Sequence, residues 1–301
     1  MSIADPVDRR TPLLDLRRTL SWYRHGGGDP TTRLTASSMA RACWTPDGPA
    51  TVTLDWSGPS LDVQAWGPGR DHAVDAARQM AAIDRLPVEV AECHPVVSEA
   101  ARRLRGVRTG RSGDLYHALL PTILAQRITS GEAVRQWASL CRQLGEPAPQ
   151  PSLDLLLPPA PDRLAGRPAW WFHPLGIEAK RARAVAEIGR IADRLWDWVR
   201  LPAADLAPKL RLVRGIGAWT VGSVLGPACG NDDAVPVGDY HLPHIVSWNL
   251  AGEPRGDDAR MLELLEPFRG HRGRVVRLLT LDGRHPPAFG PRRRILPMHR
   301  W

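Results

Sequence analysis

One carboxylate and one pair of glycines stand out for the chemistry they could do together. The stretch 212–242, LVRGIGAWTVGSVLGPACGNDDAVPVGDYHL, carries both. Gly215 and Gly217 flank Ile216, and glycine takes backbone angles closed to other residues. Such a turn can reverse the chain with its N–H groups facing outward. A helix is predicted from residue 218 to about 225, so these amides also stand at a helix N-terminus, where anions are favoured. A nucleic-acid backbone phosphate is the natural ligand for such a turn. Asp239 follows in Pro236-Val237-Gly238-Asp239-Tyr240, placed to cap the next helix. A phosphate anchor with a carboxylate at fixed reach is a site for chemistry on a nucleotide. The same residues also read as a Gly-terminated helix followed by a capped one, and the pattern alone leaves both readings open.

The elements that must position these residues come from the rest of the chain. Leu206, Leu210 and Val213 recur at helical spacing and lead into the turn. Far upstream, residues 50–56 alternate, with Val52, Leu54 and Trp56 on one face and Thr51, Thr53 and Asp55 on the other. Residues 61–66 alternate again, with Leu61, Val63 and Ala65 inward, so the two runs predict a β-hairpin. An amphipathic helix is predicted over 71–85, with Val74, Ala77, Ala81, Met80 and Ile83 inward. A short helix over 20–25 closes at Gly26-Gly27-Gly28. Residues 1–90 thus form a small α+β domain. Its tryptophans Trp22, Trp44, Trp56 and Trp66 are assigned to its core.

From residue 91 to 301 the pattern is helical. Helices are expected over 95–105, over 114–128, from a Ser130 cap to 144, over 177–199, over 257–265, and through 281. A proline-rich connector spans 147–168. Arg102, Arg103, Arg105, Arg108 and Arg111 crowd one helix end and the segment after it, and Lys180, Arg181 and Arg183 crowd another. Such runs are read as solvated surface or as contacts to backbone phosphates. The tail arginines Arg292, Arg293, Arg294 and Arg300 admit the same two readings.

Length and charge narrow the class. The chain has 301 residues and a net charge of +8, with an isoelectric point near 10.1. Arginine forks onto phosphate, so the excess favours a nucleic-acid partner. An arginine-rich proteome of high GC content gives the same excess. Cys43, Cys93, Cys141 and Cys229 are scattered, with no C-x-x-C. That spacing argues against structural zinc and against an iron–sulfur cluster, and suits reduced thiols in the cytoplasm. The first twenty residues carry no long apolar run, so neither a signal peptide nor a membrane span is expected.

GIGAWT followed by Pro-Val-x-Asp-Tyr at this distance resembles the helix-hairpin-helix DNA glycosylase superfamily, most closely its AlkA-like branch, the 3-methyladenine DNA glycosylases II. ILAQRIT and LGIEAKRARAV resemble the same branch. The resemblance implies a mainly α fold with a small N-terminal α+β domain and a cleft between helical subdomains. The N-terminal domain would support the body without holding the chemistry. The helix-hairpin-helix would span 204–230 and the catalytic segment 235–242. Gly215, Ile216, Gly217 and Ala218 would grip a DNA phosphate, Gln126 would approach the duplex, and Arg127 would fill the gap left by a flipped nucleotide. Asp239 would be the catalytic carboxylate. Trp219, Tyr240 and Ser223 would border the base pocket. Trp219 stands where bifunctional relatives carry a Schiff-base lysine, and the only lysines are Lys180 and Lys209.

The implied enzyme is a monofunctional glycosylase of base excision repair. It would act as a monomer in the cytoplasm on double-stranded DNA containing an alkylated base of the 3-methyladenine type. No cofactor is required, although the family's hairpin holds Na+ or K+, here at the backbone carbonyls of Arg211, Val213 and Ile216. The chain departs from the family at Arg214, usually proline, at Arg127, usually apolar, and at Ser223, usually aromatic. The helix over 274–281 also lacks a tryptophan expected opposite. Deaminated or oxidised purines are the alternative substrates, and a non-catalytic binder of distorted DNA is the alternative class.

Overall fold

The computed structural model describes residues 5–6, 14–57, 60–85 and 94–287. Cys93 and the tail arginines lie outside the described residues. Among those described, five strands form one antiparallel sheet: β1 (Asp5–Pro6), β2 (Thr32–Leu34), β3 (Ser38–Thr45), β4 (Gly48–Asp55) and β5 (Ser60–Trp66), in the order β1-β5-β4-β3-β2. The predicted hairpin is β4 and β5, with Leu54 opposite Val63. Leu54 also lies opposite Met39 of β3.

Helices α1 (Leu16–Leu20) and α2 (Arg70–Ala81) cover the face that carries Met39, Cys43, Val52, Leu54 and Val63. The predicted helix over 20–25 is replaced by α1 and a single 3-10 turn, because Asp15 caps the earlier start by accepting from Arg18 N at 2.9 Å. The helix predicted to reach 85 ends at Ala81, with Ala82 in the left-handed region. Its buried stripe runs through Ala73, Ala77, Met80 and Ala81 and leaves Val74 half-buried. On the far side of the sheet, Ala40 and Ala42 pack against Ala148, Leu155 and Leu157 of the proline-rich connector. β3 is therefore covered on both faces.

Eleven further helices follow among the described residues: α3 (Pro95–Arg103), α4 (Leu115–Leu124), α5 (Ser130–Leu144), α6 (Pro161–Ala165), α7 (Ala179–Arg190), α8 (Ala192–Trp198), α9 (Ala203–Leu212), α10 (Ala218–Cys229), α11 (Leu242–Ala251), α12 (Asp258–Leu265) and α13 (Arg272–Asp282). Thr129, not Ser130, caps α5, accepting from Glu132 N. The helix predicted over 177–199 is two helices, because Ile191 leaves the helical region between them. α10 runs past the predicted end at 225 to Cys229.

These helices make two cores. α4, α5 and α7–α10 share one, around Leu119, Leu140, Val185, Leu210 and Val224. α3 joins α11–α13 in the other, around Val97, Val246, Met261, Val275 and Leu279. The chain thus leaves the second core after α3, builds the first, and returns through residues 230–241. That crossing segment contains Asp239.

Several arginines read as surface are structural. Arg108 is 1% exposed and donates to the carbonyls of Arg85 and Arg105. Arg181, 2% exposed, donates to Leu124 O at the end of α4 and to Gln136 Oε1. Arg103 pairs with Glu99 and Asp282. Each has at least one partner far away in sequence: Asp282 for Arg103, Arg85 O for Arg108, Leu124 O for Arg181.

The sheet unit is fastened to the helical body by Asp29. Its carboxylate accepts from His25 N, Thr31 N, the Thr31 hydroxyl and, across the seam, Trp137 Nε1 at 3.0 Å. Thr31 Oγ1 in turn lies 3.1 Å from Nε2 of the buried His117. Asp29→Ala strands the buried Trp137 N–H and three further donors, and is expected to destabilise the protein by ~3 kcal/mol. Asp29→Asn keeps an acceptor and should lose less. The shift in the urea unfolding midpoint checks both.

Candidate functional site

The hairpin is built from the packing of α9 outward. Leu206 and Leu210 are buried, and the chain turns over the buried Val213 and Ile216. Ile216 N donates to Val213 O at 3.0 Å and closes the turn. Gly215 is required twice: its φ is +94°, and a Cβ there would lie 2.7 Å from Ala184 Cβ on α7. Gly217 differs. Its φ of −104° suits any residue, and an added Cβ would meet nothing within 4 Å. The protein itself makes no demand for glycine there, so the open space is on the ligand side.

The first i→i−4 bond of α10 runs from Val221 N to Gly217 O at 3.0 Å. The N–H groups of residues 217–220 precede it and carry the positive end of the helix dipole. Gly217 and Ala218 are exposed. These are the amides expected from the sequence to face an anion.

Gln126 is half-exposed beside the hairpin. Its Nε2 donates to Gly215 O and to Thr220 Oγ1, both at 2.9 Å. The amide nitrogen braces the hairpin from within. This fixes the α4–α5 turn against the hairpin. Arg127 is exposed and sits in the left-handed region at φ +60°.

Asp239 is half-buried and fully engaged. Oδ1 accepts from His241 N at 2.8 Å and Leu242 N at 3.0 Å, so Asp239 holds the start of α11 from two residues before its N-cap, which is His241 and not the expected Asp239. Oδ2 accepts from Trp219 Nε1 at 2.9 Å. The segment that carries it is clamped from two sides. On α10, a Cβ at Gly222 would lie 2.2 Å from Val235 O, so only glycine permits this approach. From the other side, Gly238, at φ +92°, donates its N–H to Asp258 Oδ1 at the start of α12. Asp232 and Asp233 have other work. Asp233 accepts from Gly270 N and pairs with Arg272, while Asp232 O accepts from Arg274 N. Both anchor the start of α13.

Of the three expected pocket residues, the structure brings Trp219 alone against Asp239. Ser223 turns its hydroxyl back along the helix, donating to Trp219 O at 2.7 Å. Tyr240 is 79% exposed, its ring edge-on to His241.

Trp22, assigned by its sequence to the N-terminal core, packs instead against α10 and α13. Helical geometry places Trp219, Ser223 and Gly226 on one face of α10, about 10 Å from end to end. A Cβ at Gly226 would lie 2.6 Å from Cη2 of Trp22, so this ring of the N-terminal unit closes the far end of that face. The Arg277 guanidinium of α13 stacks on the same ring, 3.8 Å from its centroid. The one signal in the sequence was a glycine deep in α10, which marks a close approach without saying by what.

The carbonyls of Arg211, Val213 and Ile216 lie at the negative end of α9 and in the turn, where neutral oxygens suit a hard monovalent cation. One lone pair of Val213 O is taken by Ile216 N. Among the described residues no group of three or more His, Cys, Asp or Glu could hold a metal ion.

No protein-family model and no curated protein sequence matches the chain. Solved structures do. A 3-methyladenine DNA glycosylase from Archaeoglobus fulgidus is similar over 94% of this chain and 98% of its own, with a TM-score of 0.74 at 15% identity. An 8-oxoguanine glycosylase/lyase from Clostridium acetobutylicum, in complex with double-stranded DNA containing cytosine opposite 8-oxoG, is similar over 94% of this chain and 98% of its own, with a TM-score of 0.69 at 12% identity. A 3-methyladenine DNA glycosylase from Schizosaccharomyces pombe, in complex with abasic DNA, is similar over 66% of this chain and 97% of its own, with a TM-score of 0.54 at 15% identity. The hairpin, the two helical cores and the small sheet together are the fold of the helix-hairpin-helix DNA glycosylases.

Proposed function

We propose that this protein is a monofunctional DNA glycosylase that hydrolyses the N-glycosidic bond of a damaged nucleotide flipped from a duplex. One observation carries the reading: the Asp239 carboxylate is fastened by Trp219 to the helix whose first turn is the anion seat. A phosphate held on residues 217–220 fixes the backbone, and the carboxylate then stands at set reach from the sugar.

Flipping costs a few kcal/mol, least for damaged pairs. As the bond to the base breaks, positive charge develops on the deoxyribose. Asp239 receives only neutral N–H donors from the protein, so its charge is free to stabilise that cation and to orient water. Such a group is worth roughly 3–4 kcal/mol in rate. Trp219 cannot form a Schiff base, and the two lysines lie on α7 and α9, Lys209 against Trp198. The expected product is an abasic site in an uncut strand. A Na+ or K+ on the hairpin carbonyls would add positive charge beside the phosphate. The indole face of Trp219 is the one expected pocket surface beside Asp239 that favours a cationic alkylated base.

Asp239→Asn keeps an oxygen to hold the start of α11 and should fold. Base release is expected to fall at least ~100-fold, with affinity for a duplex containing an abasic-site analogue retained; unchanged release would remove Asp239 from the chemistry. Trp219→Phe keeps a ring but loses the N–H and should lower the rate of release about tenfold, the worth of one hydrogen bond, with little change in KM.

The two glycines separate folding from binding. Gly215→Ala should lower thermal stability by ~1–3 kcal/mol through strain and the clash with Ala184. Gly217→Ala should leave stability unchanged yet weaken duplex binding, because its Cβ enters the phosphate seat. Equal binding by Gly217→Ala and wild type would place the DNA elsewhere.

A further inference from the structure

The turn that opens the hairpin holds a residue that its backbone does not ask for. Val213 O accepts from Ile216 N at 3.0 Å, so Arg214 and Gly215 are the two central residues of a β-turn. Gly215 has φ +94°, while Arg214 is not among the residues of positive φ. That combination is a type II turn, in which the first central residue is commonly proline and the second is glycine. Val213, at φ −72° and ψ 123°, has the extended backbone of a residue that precedes proline. The Arg214 N–H enters no backbone hydrogen bond among the described residues. A proline would therefore stiffen the turn and lose no bond. An arginine in its place contributes through its side chain.

That side chain is exposed and has no hydrogen-bonding or ionic partner among the described residues. The same holds for Arg211, in the last turn of α9. By contrast Arg163, Arg190 and Arg269, also exposed, each pair with a glutamate. Between the two free guanidiniums comes Leu212, 86% exposed, although Leu206 and Leu210 of the same helix are buried. Arg211 and Arg214 are at most about 11 Å apart along the chain, a span that long side chains adjust to successive phosphates. The exposed Gly217 lies three residues further on. Charge, apolar side chain, charge matches the repeat of a DNA strand, which is phosphate, sugar, phosphate.

We infer that Arg214 and Arg211 are side-chain phosphate anchors that carry the bound strand past the hairpin amides onto the end of α9, with Leu212 against the deoxyribose between them. The inference rests on the glycosylase reading, which lays a DNA duplex on the hairpin. A guanidinium forks onto phosphate oxygens, and each such contact releases condensed counterions. The hairpin amides offer a phosphate no formal charge, so these two arginines set part of the salt dependence of binding.

Affinity for a duplex containing a tetrahydrofuran abasic site, measured across salt concentrations, tests this. Arg214→Gln removes the charge and leaves the backbone alone. It should weaken binding about fivefold to tenfold at 0.1 M salt and lower the slope of log Kd against log salt by about 0.9. Arg211→Gln should lower the slope by the same amount, whereas Arg214→Lys should keep it. Arg214→Pro should lower the slope as Arg214→Gln does, yet raise the melting temperature by about 1–3 °C. Leu212→Asn should weaken binding about threefold with the slope unchanged. An unchanged slope in Arg214→Gln, with binding still weakened by Gly217→Ala, overturns the inference and leaves the glycosylase reading standing. A melting temperature lowered by both Arg214→Gln and Arg214→Pro makes the arginine a support of the turn and also overturns it. An unchanged slope together with full binding by Gly217→Ala takes the duplex off the hairpin and overturns both.

Discussion

The hydrogen bond from the Trp219 indole to the Asp239 carboxylate joins two functions that the chain writes twenty residues apart. Trp219 is the second residue of α10. Its backbone N–H belongs to the unpaired first turn proposed to seat an anion, and its side chain holds the carboxylate. Moving one therefore moves the other. Asp239 is fixed from the opposite side by the first amides of α11, so the carboxylate bridges two helix N-termini that belong to different cores. No salt bridge to a guanidinium or ammonium joins it among the described residues. A preorganised anion of this kind needs no reorganisation when positive charge appears on a sugar.

The rest of the fold holds this bridge in place. The crossing between the two cores is short and would swing if unsupported. It is pinned where Gly222 lets α10 approach Val235 and where Asp258 takes the Gly238 amide. The hairpin is pinned in turn by Gly215 against Ala184 and by Gln126 from the α4–α5 turn. Arg181 extends the support by binding the end of α4 to α7. The N-terminal unit adds support from its side, because Trp22 packs against α10 at Gly226.

Local patterns were legible where one residue's environment is set by its neighbours in sequence. The glycine pair announced a turn at a helix start, and the alternation over β4 and β5 a half-covered hairpin; Asp239 was read as the N-cap of α11, two residues before the actual cap at His241. β3 was not legible, since SMARACWT lies between α2 and the connector and so carries no period of two. Long side chains hid their destinations. Arg108 and Arg181 look like members of solvated runs, yet each is buried on carbonyls supplied by other elements. Gln126 was identified as a residue of the site, but its direction depends on Gly215 and Thr220, nearly ninety residues later. Ser223 and Tyr240 were read as pocket residues from position alone. Their rings or hydroxyls are set by rotamer and cap geometry that position does not give.

The most direct measurement is a structure of the protein bound to a duplex containing a tetrahydrofuran abasic site. The expected result is a DNA phosphate on the amides of residues 217–220 and the abasic sugar turned into the cleft, with its C1′ position in contact with the Asp239 carboxylate and Trp219 still bonded to it. A duplex seated away from the hairpin, or an abasic sugar remote from Asp239, would contradict the assignment of this carboxylate to the chemistry.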